Sequence, residues 1–184
     1  MIPNFDHNNV IPPHLGNPTQ ITHLSPYPCT TLELCQRFAT SKERVEILVG
    51  LLLFRERMSE LGIIEGFQWL DGSFTENIEL SANRAPRDLD LVTFFGGISM
   101  DNQLIIDTDF IEFGNPQIAK ETYKLDHYPV DYCYNPNTTV ELTRYWIQLF
   151  THNRLGVWKG ILRLELNTPE VDAESMNYLK NINQ

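Results

Sequence analysis

The chain has 184 residues, of which 42% are hydrophobic and 21% charged, enough for one domain with a real core. Lys and Arg total 14 against 24 Asp and Glu, a net charge of −10 without any basic run, which argues against a broad duplex-binding face. Three cysteines (Cys29, Cys35 and Cys133) lack paired C-x-x-C spacing, so neither a zinc site nor a disulfide framework is expected, and a reducing cytoplasm is the natural setting.

Residues 1–29 are rich in proline, histidine and asparagine. Proline blocks helix interiors and central strands, so this segment reads as an extended arm on the surface of a single domain spanning 30–184. It has no basic n-region and no apolar h-region, so no signal peptide is expected. A short helix is predicted over Leu32–Phe38. Thr40 and Glu43 then have capping-box spacing, opening a core helix that runs to about Leu61 and stops at Gly62. Its apolar run, Ile47 to Phe54, is too short to cross a bilayer. Strands are predicted at Gly66–Asp71, Asp88–Phe95, Tyr128–Tyr134 and around Trp158–Leu166. Helices are predicted at Pro116–Leu125, Thr139–Thr151 and Pro169–Leu179. Interleaved strands and helices imply an α/β or α+β fold, a sheet covered by helices.

Chemistry concentrates in two stretches. The strand Phe67–Asp71 runs into the Gly72-Ser73 turn, whose backbone N–H groups can hold phosphate. Arg87-Asp88-Leu89-Asp90 then opens a second strand, where alternate residues share a face, so Asp88 and Asp90 can grip the same cations. Asp131 lies inside a later strand-like run, where an unpaired charge is expensive and a cation is expected nearby. A second D-x-D, Asp107-Thr108-Asp109, follows no Gly-Ser turn and reads as a turn or helix start. Asp71 reads as a turn-stabilising side chain in preference to a catalytic one, Lys124 and Lys159 as exposed lysines in preference to phosphate ligands, and His127 as structural or solvated. Tyr145, Trp146 and Phe150 read as core.

The ordered set of Gly-Ser turn, D-x-D strand and isolated strand aspartate resembles the DNA polymerase beta-like nucleotidyltransferase superfamily. The match spans roughly Phe67 to Tyr134. The wider chain looks like short bacterial proteins with this core, on the Pro12-Pro13 arm, Leu70-Asp71-Gly72-Ser73-Phe74, Arg84-Ala85-Pro86-Arg87-Asp88-Leu89-Asp90 and Trp158-Lys159-Gly160-Ile161-Leu162. The resemblance implies a nucleotidyltransferase-like mixed sheet, with Gly72 and Ser73 on the triphosphate and Asp88, Asp90 and Asp131 on two Mg²⁺ ions. Many minimal members carry a small residue where this chain has Arg87. Two roles stay open for it: pairing with the acids and displacing metal, or contacting phosphate as Arg84 can from the same loop.

The function expected is transfer of a nucleoside monophosphate from an NTP to a hydroxyl of a protein or RNA end. The alternative is a catalytically silent binding module, an antitoxin-like partner for another protein; several relatives in the superfamily serve in toxin–antitoxin or defence pairs. Neither duplex DNA nor a membrane is an expected partner.

Overall fold

The computed structural model describes residues 1–182. Within them, five strands form one mixed sheet: β1 (Tyr27–Pro28), β2 (Glu65–Asp71), β3 (Leu89–Gly96), β4 (Leu125–Asp131) and β5 (Leu162–Glu165). The strand order is β1-β5-β2-β3-β4. β2 runs antiparallel to both β3 and β5, whereas β3–β4 and β1–β5 are parallel. The described helices are α1 (Thr31–Phe38), α2 (Lys42–Glu60), α3 (Ile78–Ala82), α4 (Met100–Asp109), α5 (Ile111–Gly114), α6 (Pro116–Tyr123), α7 (Pro136–Phe150) and α8 (Pro169–Ile182). The fold is α+β, as the alternation of elements predicts.

Local chemistry sets the boundaries. A capping box joins Thr30 and Glu33 at the start of α1. α2 is capped by Ser41, whose hydroxyl accepts from Arg44 N, so the cap lies one residue after the expected Thr40. It ends in a Schellman pattern: Gly62 N–H donates to Ser59 O and Ile63 N–H to Met58 O, with Gly62 at φ +76°. α4 lies in a stretch left unassigned by its pattern, because among its residues only Ile106 is buried. The rival pair Asp107 and Asp109 sits in its last turn, exposed, where the expectation was a turn or helix start.

The sheet divides the core. One face carries Trp69, Val92, Phe94 and Val130 against Trp146 and Phe150 of α7. The other carries Leu70, Leu91, Leu125 and Leu164 against α1, α2 and α8. The N-terminal arm is part of this core rather than a strap over it. Val10 and Ile11 are buried, and Tyr27 N–H donates to Ile161 O as β1 joins the sheet edge.

A polar chain crosses the second face. Phe113 O can only accept, so His127 Nδ1, 3.0 Å away, carries the proton. Nε2 then accepts from the Thr93 hydroxyl at 2.8 Å, and Thr93 Oγ1 accepts from Gln68 Nε2 at 3.1 Å. Gln68 Oε1 accepts from Arg55, whose Nε is 2.9 Å from Asp172 of α8. All of Arg55, Gln68, Thr93 and His127 are buried, and each has a partner. Burial lowers the His127 pKa to about 3, matching the neutral tautomer. The histidine is structural, one of the two roles its sequence context allowed.

Candidate functional site

Strand register gathers the acids. Asp90 on β3 is directly opposite Asp71 on β2 and Asp126 on β4. Paired residues on adjacent strands share a face, so these three form a rung across the sheet, on the face covered by α7. Asp88, two residues before Asp90 and just ahead of β3, points to the same side.

The Gly72-Ser73 turn closes one end of the rung. Gly72 has φ +79°, and a Cβ placed there would overlap Asp90 Oδ2, so only glycine permits both the turn and the carboxylate beside it. Ser73 begins a short 3₁₀ turn through Thr75, and the Thr75 hydroxyl donates to Gly72 O. Two buried cations grip this turn. Arg44 of α2 donates to Phe74 O at 2.6 Å and Glu76 O at 2.7 Å, and pairs with Glu79. Lys159, 1% exposed, reaches Gly72 O at 3.0 Å, Asp71 Oδ1 at 3.0 Å and Glu76 Oε1 at 2.7 Å. Lys159 is therefore not the exposed lysine its context suggested. Asp71 is not merely a turn-stabiliser either, since it faces both Lys159 and Asp90.

Charge is unevenly neutralised along the rung. One lysine serves Asp71 and Glu76 together, and burial pushes Asp71 up to about 7. Against the desolvation that would lower it, the two acids hold Lys159 above the ordinary lysine range. Asp90 has neither a hydrogen-bond nor an ion-pair partner among the described residues; burial, then Asp88 and Asp126, push it up to about 6. Lys120 of α6 contacts Asp88 Oδ2 and stands 4.0 Å from Asp126 Oδ2. Hydrogen bonding to Asp88 raises the Lys120 pKa. Tyr128, further along the same face, has its phenol pushed up to about 12 by burial and then by Asp126.

The predicted residues separate into those brought together and those left apart. Asp88, Asp90, Gly72 and Ser73 meet at one end of the sheet. Asp131 does not join them. It is opposite Phe95 rather than Asp90, roughly 16 Å further along β4 and on the other face. It is exposed and accepts from Cys133 N–H at 2.8 Å, capping its own turn. Asp126 occupies the rung where Asp131 was expected. Helix α6 ends at Tyr123 with Lys124 in the left-handed region, so β4 starts at Leu125, earlier than the predicted Tyr128. The signal was present in Leu125-Asp126, which repeats the Leu89-Asp90 alternation. Arg84 and Arg87 are exposed in the loop before β3. Arg84 Nη1 donates to Ala85 O, and Arg87 has no ion pair among the described residues, so Lys120 rather than Arg87 pairs with the acids. Lys124 lies on the surface beside Glu46, 3.3 Å away, as its context suggested.

Residues 3–165 match a family of unknown function (DUF6932). The chain belongs to this family. No curated protein and no solved structure matches it. The DUF6932 match takes in the arm, all five strands and every site residue above, and stops before α8.

Among the described residues no three His, Cys, Asp or Glu side chains form a ready-made metal shell. The donor set at this DUF6932 site nevertheless fits a hard cation. Asp88, Asp90 and Asp126 offer carboxylate oxygens only, Asp90 lacks a partner, and Mg²⁺ takes water and substrate phosphate for the rest of its shell.

Proposed function

We propose that the protein is a magnesium-dependent nucleotidyltransferase that moves a nucleoside monophosphate from an NTP to a hydroxyl of a protein or RNA end. The observation that carries this reading is the Asp90–Asp126 rung with Gly72 packed against Asp90. Asp88, Asp90 and Asp126 would hold two Mg²⁺ ions, which when bound supply Lewis-acid stabilisation of the triphosphate. The backbone at Gly72 and Ser73 receives the β- and γ-phosphates, on a turn already fixed by Arg44 and Lys159. Arg84 and Arg87, exposed on the adjoining loop, are available to the same phosphates. Asp126 orients the acceptor hydroxyl and takes its proton as the hydroxyl oxygen bonds to the α-phosphorus. The bond from the α-phosphorus to the bridging oxygen breaks, and pyrophosphate leaves with the electron pair.

The test is incorporation of label from α-³²P NTPs into cell lysate protein and RNA with added Mg²⁺. Wild type labels an acceptor, and Asp88→Ala and Asp126→Ala both lose at least about a hundredfold of that rate. Labelling that survives in both variants overturns the assignment.

A second reading is a silent binding module that masks another protein as an antitoxin-like partner. The Lys120–Asp88 ion pair favours it, because it neutralises an acid the enzyme needs. Calorimetry with millimolar NTP and Mg²⁺ separates the two, since the module shows no heat of nucleotide binding. A reducing cytoplasm suits either reading, given the free Cys29, Cys35 and Cys133. Among the described residues no helix is long and apolar enough to cross a membrane.

A further inference from the structure

Two lysines flank the acid rung, and they differ in kind. Lys159 is enclosed, hydrogen-bonded to Gly72 O and Glu76 Oε1 and ion-paired with Asp71. Its charge is a fixed part of the turn. Lys120 has 43% of its side chain exposed, and its single close partner is Asp88. Its helix is anchored without it: Asn115 caps α6, Pro116 starts it, and Ala119 is fully buried. The ammonium can therefore swing into water while the backbone stays in place.

Lys120 bridges toward Asp126 from Asp88, and the unpartnered Asp90 neighbours both, with Asp126 across on β4 and Asp88 two residues earlier, just ahead of β3. A cation held by the three carboxylates would share Asp88 with this ammonium and meet its repulsion at close range. We infer that Lys120 is a built-in competitor for a divalent cation at Asp88, so that the site fills completely only when this side chain is displaced. The inference rests on the cation-binding reading proposed above. It assigns Lys120 a regulatory place in that site: an anionic substrate arriving with its own metal draws the ammonium away, which ties full loading to substrate.

The experiment is titration of the intact protein with Mn²⁺, following the EPR signal of the free ion, without nucleotide. Four proteins are compared: wild type, Lys120→Gln, Lys120→Arg and Lys120→Gln/Asp90→Asn. The expected result is binding tightened by about tenfold in Lys120→Gln, wild-type affinity in Lys120→Arg, and loss of the tight site in the double variant. Asp90-dependent binding of equal or weaker affinity in Lys120→Gln overturns the competitor role and leaves the cation site standing. Absence of any Asp90-dependent Mn²⁺ binding overturns the cation site and the competitor role together.

Discussion

Asp90 is held at a position that disfavours its charge. Its folded pKa, about 6, lies above the ordinary 3.8, so its stabilising contribution is complete below pH 3.8 and is lost as pH rises through 6. At neutral pH, without divalent cation, the ionised carboxylate works against the fold. Asp90→Asn is therefore expected to raise unfolding free energy at pH 7.5 in EDTA by roughly 1–2 kcal/mol, read by urea denaturation. A drop in stability would mean that Asp90 serves packing rather than chemistry. Asp131 sits apart from this site. Exposed and on the far face, Asp131→Ala should leave the proposed nucleotidyl transfer within about twofold of wild type and cost at most about 1 kcal/mol as a lost turn bond. Composition alone cannot rank these aspartates, because the value of a carboxylate depends on its register across strands. Asp88 and Asp90 were legible because they lie two residues apart where the chain enters β3; choosing Asp126 over Asp131 required knowing where β4 begins.

At the level of elements, the turn from Gly72 to Glu76 is clamped from both sides, and its stiffness should be measurable. Lys159→Met leaves Asp71 and Glu76 buried without their cation, and a loss of about 3–5 kcal/mol is expected by thermal or chemical denaturation. Lysine looked like a surface residue in the sequence because its partners lie far away along the chain. The His127 chain gives a second prediction. Its folded pKa, about 3, is below the unfolded 6.5, so its contribution is complete above pH 6.5 and is lost as pH falls from 6.5 toward 3. His127→Gln should lower stability at pH 7 and flatten its decline between pH 6.5 and 4, compared with wild type by urea denaturation. Asp71 and Asp90 titrate with the opposite sign over this range, but they are common to both proteins and drop out of the comparison. Periodicity and end signals sufficed for α1, α2, α6, α7 and α8. They failed for α4, which buries too little of one face to leave a pattern.

Across the whole molecule, the α+β architecture followed from alternating strand and helix signals, whereas the role of the arm did not. Proline content correctly excluded a central strand, yet β1 is an edge strand and Val10, Ile11 and Tyr27 belong to the core. Pairing between the first and last strands leaves no local trace in either. A protein lacking residues 1–29 is expected to lose roughly 5–8 kcal/mol from those three side chains alone, enough to abolish a cooperative melt by circular dichroism. A cooperative melt near the wild-type temperature would show the arm to be dispensable.

The β1–β5 pairing and the reach of Lys159 back to Gly72 also set an order of events during synthesis. The Gly-Ser turn, Asp71 and Glu76 leave the ribosome long before the lysine that neutralises them. Until that late segment arrives, two acids have no cation and the first strand has no partner. The Gly72-Ser73 turn therefore takes its final shape among the last events of folding, and a prematurely terminated chain carries its acids without their cation.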